Sequence, residues 1–143
     1  MRKFIILLGG ALLLTLTPLW ADNVERFDGY AVHYNVFNAE MLDPRVAQAY
    51  KLRRDCGNGV FTVALRKDDG AAVAADIRAT AITLVGQRTS IAMREVRDGT
   101  GIYYVGGFAI TTDAEPLKFA LTLRPEGSPR EYSFDFSRQM FRC

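Results

Sequence analysis

Residues Gly59 to Leu84 read GVFTVALRKDDGAAVAADIRATAITL. Phe61, Val63 and Leu65 fall on one side of an extended chain, and Val60, Thr62, Ala64 and Arg66 on the other. Past Asp68-Asp69-Gly70, the residues Val73, Ala75, Ile77 and Ala79 resume the period of two. This alternation is that of strands with one buried face. The Asp-Gly pair supplies the positive φ of a tight reversal. The stretch therefore predicts a β-hairpin at the middle of an antiparallel domain. Ile82 and Leu84 lie on even positions, out of phase with Val73 to Ala79, which predicts a bulge or a sheet-crossing corner near Thr80-Ala81.

The same period appears on either side. Asp22 to Asp28 is polar and reads as a loose leader. In Tyr30 to Phe37, Val32, Tyr34 and Val36 share one face and Ala31, His33 and Asn35 the other. Asp43 suits an N-cap and Pro44 a first helical position, so a short helix is expected over Pro44 to Tyr50, laying Val46 and Tyr50 on the sheet. Ile91 to Val96 reads as a strand. Asp98-Gly99 signals a second hairpin, answered by Ile102 to Ile110, where Gly106-Gly107 points to a bulge or close backbone packing. Phe119, Leu121 and Leu123 alternate, as do Tyr132, Phe134 and Phe136. About seven short strands and one helix predict an all-β fold, an antiparallel Ig-like β-sandwich.

The chain has 143 residues, enough for one domain. Arg2-Lys3, an apolar run from Phe4 to Leu16, the helix-breaking Pro18 and the small Ala21 have the layout of a secretory signal peptide. The run is short for a membrane span, which takes about 20 residues. Residues 1–21 are therefore expected to be removed and residues 22–143 to form a single domain, periplasmic or secreted, with no stable membrane insertion after cleavage. The whole chain carries 18 Lys+Arg against 16 Asp+Glu. The leader holds two of those cations and no acid, so the mature domain is electrically balanced and nothing suggests nucleic acid as a partner. Cys56 and Cys143 permit one disulfide in an oxidising compartment. It would close a loop of roughly 90 residues, worth about 4–5 kcal/mol in the chain-entropy view.

Several stretches carry a resemblance. They are Tyr30-Ala31-Val32-His33-Tyr34-Asn35 with Phe37-Asn38, Leu42-Asp43-Pro44-Arg45-Val46-Ala47 with Tyr50, Leu84-Val85-Gly86-Gln87, Arg94-Glu95-Val96, and Ile102-Tyr103-Tyr104. In this order they resemble a bacterial family known as domain of unknown function 4426. The resemblance implies a secreted or periplasmic β domain and no assigned activity. Cys56 and Cys143 are not among the stretches that carry it, so it lends the disulfide no support.

His33 is the only histidine. Beside Asn35 on the outward face it has the chemistry of a ligand or general base, although a surface histidine is the commoner case. A Ser-His-acid relay would need Ser90, Ser128, Ser133 or Ser137 brought to it. A soft metal site would draw on His33, Met41, Met93, Met140 and the cysteines, which are scattered. Asp68-Asp69 fits a turn better than an acid–base pair, and Gly106-Gly107 lacks the lysine and helix of a phosphate loop. Tyr104 is in phase with Ile102 and Phe108 and belongs to the core. Tyr103 points outward, with Tyr30 and Phe37 as further exposed candidates. Lys51, Arg53 and Arg54 read as a solvated loop.

These readings favour an envelope module that binds or scaffolds through a face containing His33, Asn35 and Tyr103, without catalytic residues, cofactor or metal. The partner would be an envelope protein or a glycan. A periplasmic copper-type metal-handling protein and a small hydrolase are the alternatives.

Overall fold

The two arms flanking Asp68-Asp69-Gly70 belong to different sheets. In the computed structural model, which describes residues 23–142, the first arm is a strand at Asn58–Lys67 and the second a strand at Ala75–Ile82. The expected leader, residues 1–21, and Cys143 lie outside the described residues. The reversal itself forms: Gly70 N–H donates to Lys67 O at 2.8 Å and Val73 N–H to Leu65 O at 2.9 Å. The chain then leaves the first sheet at Val73-Ala74, so the expected long hairpin is a local turn followed by a crossing.

Among the described residues there are nine strands, two more than expected: β1 Asn23–Phe27, β2 Tyr30–Asn38, β3 Asn58–Lys67, β4 Ala75–Ile82, β5 Arg88–Ile91, β6 Arg94–Asp98, β7 Gly101–Ala109, β8 Pro116–Pro125 and β9 Tyr132–Gln139. They form an all-β antiparallel sandwich. One sheet has the order β1-β2-β3-β7-β6, the other β5-β4-β8-β9.

Four further expectations are corrected. The stretch read as a loose leader holds β1, which pairs with β2 from Asn23↔Tyr34 to Phe27↔Tyr30. Asp28 (φ 40°) and Gly29 (φ 84°) join them, the two positive φ values of a two-residue hairpin turn. The stretch Ile91 to Val96 is divided: β5 ends in one sheet and β6 begins in the other. No bulge occurs near Thr80-Ala81, because β4 pairs with β8 in unbroken register from Ala75↔Pro125 to Ile82↔Lys118. Ile82 faces outward, and Leu84 and Val85 stand exposed in the β4–β5 loop, so the phase change marks the end of the buried face. In the helix α1, Pro44–Ala49, the buried residue is Ala47, whereas Val46 is exposed. The cap is as expected: Asp43 Oδ1 accepts from Arg45 N–H at 2.8 Å.

Gly106 interrupts nothing, since β7 pairs continuously with β3 and β6. It makes room. A Cβ there would lie 2.7 Å from Ile91 Cγ2 and 2.8 Å from Ala92 O, where the chain passes from β5 to β6. Gly107 on the opposite face leaves space for Leu52, 3.2 Å from a Cβ built there.

The core lies between the sheets. Val32, Val36, Phe61, Val63, Leu65, Tyr104 and Phe108 meet Ala79, Ala81, Ile91, Leu117, Phe119, Leu121 and Leu123. Phe119 is its hub, with ring centroids 5.7 Å from Phe61, 5.0 Å from Phe108 and 5.3 Å from Phe136. Along the β1–β2 edge an aromatic seam closes the sandwich: Phe27 stacks on Tyr132 at 5.1 Å, and Tyr34 meets Phe136 at 4.5 Å. Such pairs add about 0.5–1.5 kcal/mol each beyond area burial.

Candidate functional site

The outer surface of the five-stranded sheet collects the residues singled out in the sequence. Side chains directly opposite in register share a face. His33 pairs with Ala64, Asn35 with Thr62, and Thr62 with Val105. Tyr103 is two residues from Val105 and pairs with Val96. His33, Asn35 and Tyr103 therefore all project from one face, and they line one cleft of about 280 Å³ with Thr62, Ala64 and Arg66.

The construction is simple. β3 supplies a floor of small residues, Thr62 and Ala64. β2 supplies one wall, His33 and Asn35, and β7 the other, Tyr103. Two strand spacings separate the walls, about 10 Å. Tyr103 is 39% exposed, enough to offer a ring face. Asn35 Oδ1 accepts from Val36 N–H at 2.9 Å, which fixes the carboxamide and leaves its NH₂ toward solvent. Behind the floor, burial pushes the Tyr34 hydroxyl pKa above its usual 10.0; Glu25 adds to the effect and Arg138 opposes it.

The cleft continues past Tyr103 into a trough bordered by Tyr50, Val96 and Asp98, and then along Gly107 to Arg94 and Lys51. Lys51 and Arg53 line the far end of this trough. Arg53 lies 3.7 Å from Asp55, and Arg54 Nε donates to Leu42 O at 2.7 Å. Arg66, Arg94 and Lys51 make no ion pair among the described residues.

Other candidates fall elsewhere. Tyr30 turns inward and its ring lies 6.2 Å from Tyr132. Phe37 is half-buried on the outer face opposite Val60. Ser90, Ser133 and Ser137 stand on the far sheet, opposite Thr80, Thr122 and Lys118, on its outward side. Met140 is buried and Met41 exposed. Among the described residues no three His, Cys, Asp or Glu side chains group closely enough to hold a metal ion. Thr62, Ala64 and Arg66 carry no sequence signal of a site. Their shared period of two was visible in the sequence, but the register that sets them beside His33 was not.

The outward face of the four-stranded sheet differs. Two of its cations are paired across strands, Lys118 with Asp135 at 3.4 Å and Arg124 with Glu131 at 3.3 Å.

A family model described as a domain of unknown function, DUF4426, matches residues 24–142. The chain is also similar to the crystal structure of a DUF4426 family protein from Pseudomonas aeruginosa PAO1, with 32% identity and a TM-score of 0.76, covering 85% of this chain and 95% of that one. No curated protein matches the chain.

Proposed function

The chain belongs to the DUF4426 family, and on that premise we propose that it is an exported, non-enzymatic binding module of the cell envelope whose ligand face is the outer surface of the five-stranded sheet. One observation carries this reading: His33, Asn35 and Tyr103 line a single cleft. The cleft combines one aromatic wall with few polar groups, as ligand sites commonly do. Its lining holds a histidine but no carboxylate, so a base without an orienting acid is at hand; this favours binding over hydrolysis.

Export is part of the proposal. It is supported by the leader-like residues 1–21 and predicts a mature N-terminus at Asp22 in a periplasmic fraction. A disulfide between Cys56 and Cys143 is also proposed. Its support is local: a Cβ built on Gly57 would lie 3.4 Å from an Arg142 guanidinium nitrogen, so the residues next to the two cysteines meet.

The test is capture from an envelope extract with residues 22–143 as bait. Tyr103→Ala and Asn35→Ala should lose the captured species, whereas Lys118→Ala on the opposite face should keep it. A species retained by both cleft variants and lost by Lys118→Ala would overturn the assignment of the face.

A further inference from the structure

Taking that face as the binding surface, we infer that the cleft over β3 receives an anionic sugar, a uronate residue of an oligosaccharide. Three features select this class.

The floor is a central strand. β3 is hydrogen-bonded to β2 along one side; on the other, β7 pairs with Asn58 to Val63, and the returning turn takes Leu65 (from Val73 N–H) and Lys67 (to Ala71 O), so the edge is occupied. A peptide cannot add to it as an extra strand, the usual way sheets take extended peptides. Recognition must come from side chains alone.

Those side chains suit a pyranose. The Tyr103 ring offers a flat apolar wall to the C–H face of a sugar, while the Asn35 NH₂ can donate to its hydroxyl groups and the Thr62 hydroxyl, which donates to Asn35 O at 3.5 Å, can accept from them. Both hydrogen-bonding groups project from neighbouring strands at one level of the sheet.

The charge on this face is one-sided. The domain as a whole is balanced, and on the opposite face Lys118 and Arg124 are paired with Asp135 and Glu131. Here Arg66 lies at the cleft and Arg94 and Lys51 border the trough beyond it. None of the three has an ion-pair partner among the described residues, and Asp98 is the single carboxylate lining this run of cleft and trough. A guanidinium takes a carboxylate through two parallel hydrogen bonds. Arg66 is placed to hold the uronate carboxylate, and Arg94 and Lys51 to meet further acidic residues of the chain.

The experiment titrates residues 22–143 with trigalacturonate, with galactotriose as its neutral counterpart and with hexaglutamate. Calorimetry gives the affinity and amide NMR shifts give the location. Trigalacturonate should bind and move the amides of His33, Asn35, Thr62 and Tyr103. Arg66→Gln should weaken it about tenfold or more, the effect of losing a charge-assisted hydrogen bond. Tyr103→Ala should also weaken it, with the melting temperatures of both exposed-site variants close to that of the parent. Galactotriose binding as tightly as trigalacturonate, or Arg66→Gln without effect, would overturn the anionic class. Hexaglutamate shifting the same amides while trigalacturonate shifts none would overturn the sugar and leave the face intact. Trigalacturonate acting on the four-stranded sheet instead would overturn both the sugar site and the face.

Discussion

Tyr104 donates its hydroxyl hydrogen to Glu95 Oε1 at 3.0 Å. The Tyr104 hydroxyl oxygen in turn accepts from Ala75 N–H at 2.8 Å. Tyr104 and Glu95 belong to the five-stranded sheet and Ala75 opens β4 in the other, so one hydroxyl ties the two layers where the chain has just crossed. Replacing Tyr104 with Phe keeps the ring and strands the Ala75 N–H. The expected cost is about 1–2 kcal/mol, read from urea unfolding midpoints at constant slope.

The same hydroxyl makes stability depend on alkaline pH. Burial raises the Tyr104 pKa above the usual 10.0; the Ala75 hydrogen bond opposes the rise and Glu95 adds to it. Tyr34 is raised as well, first by burial. The folded chain therefore holds these protons more tightly than the unfolded chain. Stability is full below pH 10 and falls as pH rises from there through the folded values. Urea midpoints measured between pH 8 and pH 11 should decline at the upper end, and Tyr104→Phe should remove part of that decline.

Gly106 tests the crossing from β5 to β6. A methyl group at this position would overlap Ile91, Met93 and the Ala92 carbonyl. Gly106→Ala should destabilise by about 1–3 kcal/mol, the usual range for overpacking. Gly99→Ala, at a turn where nothing lies within 4 Å of the added carbon but φ is +58°, should cost through backbone strain alone. An overpacking cost at Gly106 should shift the methyl NMR signals of Ile91 and Met93, and the Gly99 variant should leave them unmoved.

Phe119 and Val85 separate the buried face from its apparent continuation. Phe119→Ala removes a fully buried ring from the hub and should cost about 3–5 kcal/mol. Val85→Ser changes a residue 83% exposed and should stay within about 0.5 kcal/mol. Thermal melts of the two variants side by side decide it; comparable losses would contradict the outward orientation of the β4–β5 loop.

For the proposed disulfide, Cys56→Ser should lower stability by about 2–5 kcal/mol. A reducing agent should produce the same loss in the parent chain and none in the variant.

Much of the fold was legible because alternation is a local property. The inward positions of β2, β3, β8 and β9 followed from Val32, Phe61, Phe119 and Phe134 with their neighbours two residues on. The partner of each strand was not legible. Asp68-Asp69-Gly70 specifies a reversal, and a reversal is equally compatible with pairing back or with crossing to the other layer; the short side chains Ala71, Ala72 and Ala74 give no preference. β1 was missed because its outward residues Val24 and Arg26 and its inward Glu25 do not alternate in polarity. At the candidate site, the outward direction of His33, Asn35 and Tyr103 could be read from phase. Their convergence depends on β2 and β7 flanking β3, a non-local pairing that no short window contains.

The crossing at Val73-Ala74 has a consequence for how the protein is made. The chain leaves the first sheet there with β3 paired on one side only, and the second partner, β7, arrives after β4, β5 and β6 have been synthesised. Pairings this far apart in sequence form slowly. Until they form, β3 presents an open hydrogen-bonding edge and the apolar row Phe61, Val63 and Leu65, which is a template for another copy of the same chain. Chains truncated before Gly101 should therefore associate rather than remain soluble. Holding the chain unfolded until its last strand is available would protect the same edge.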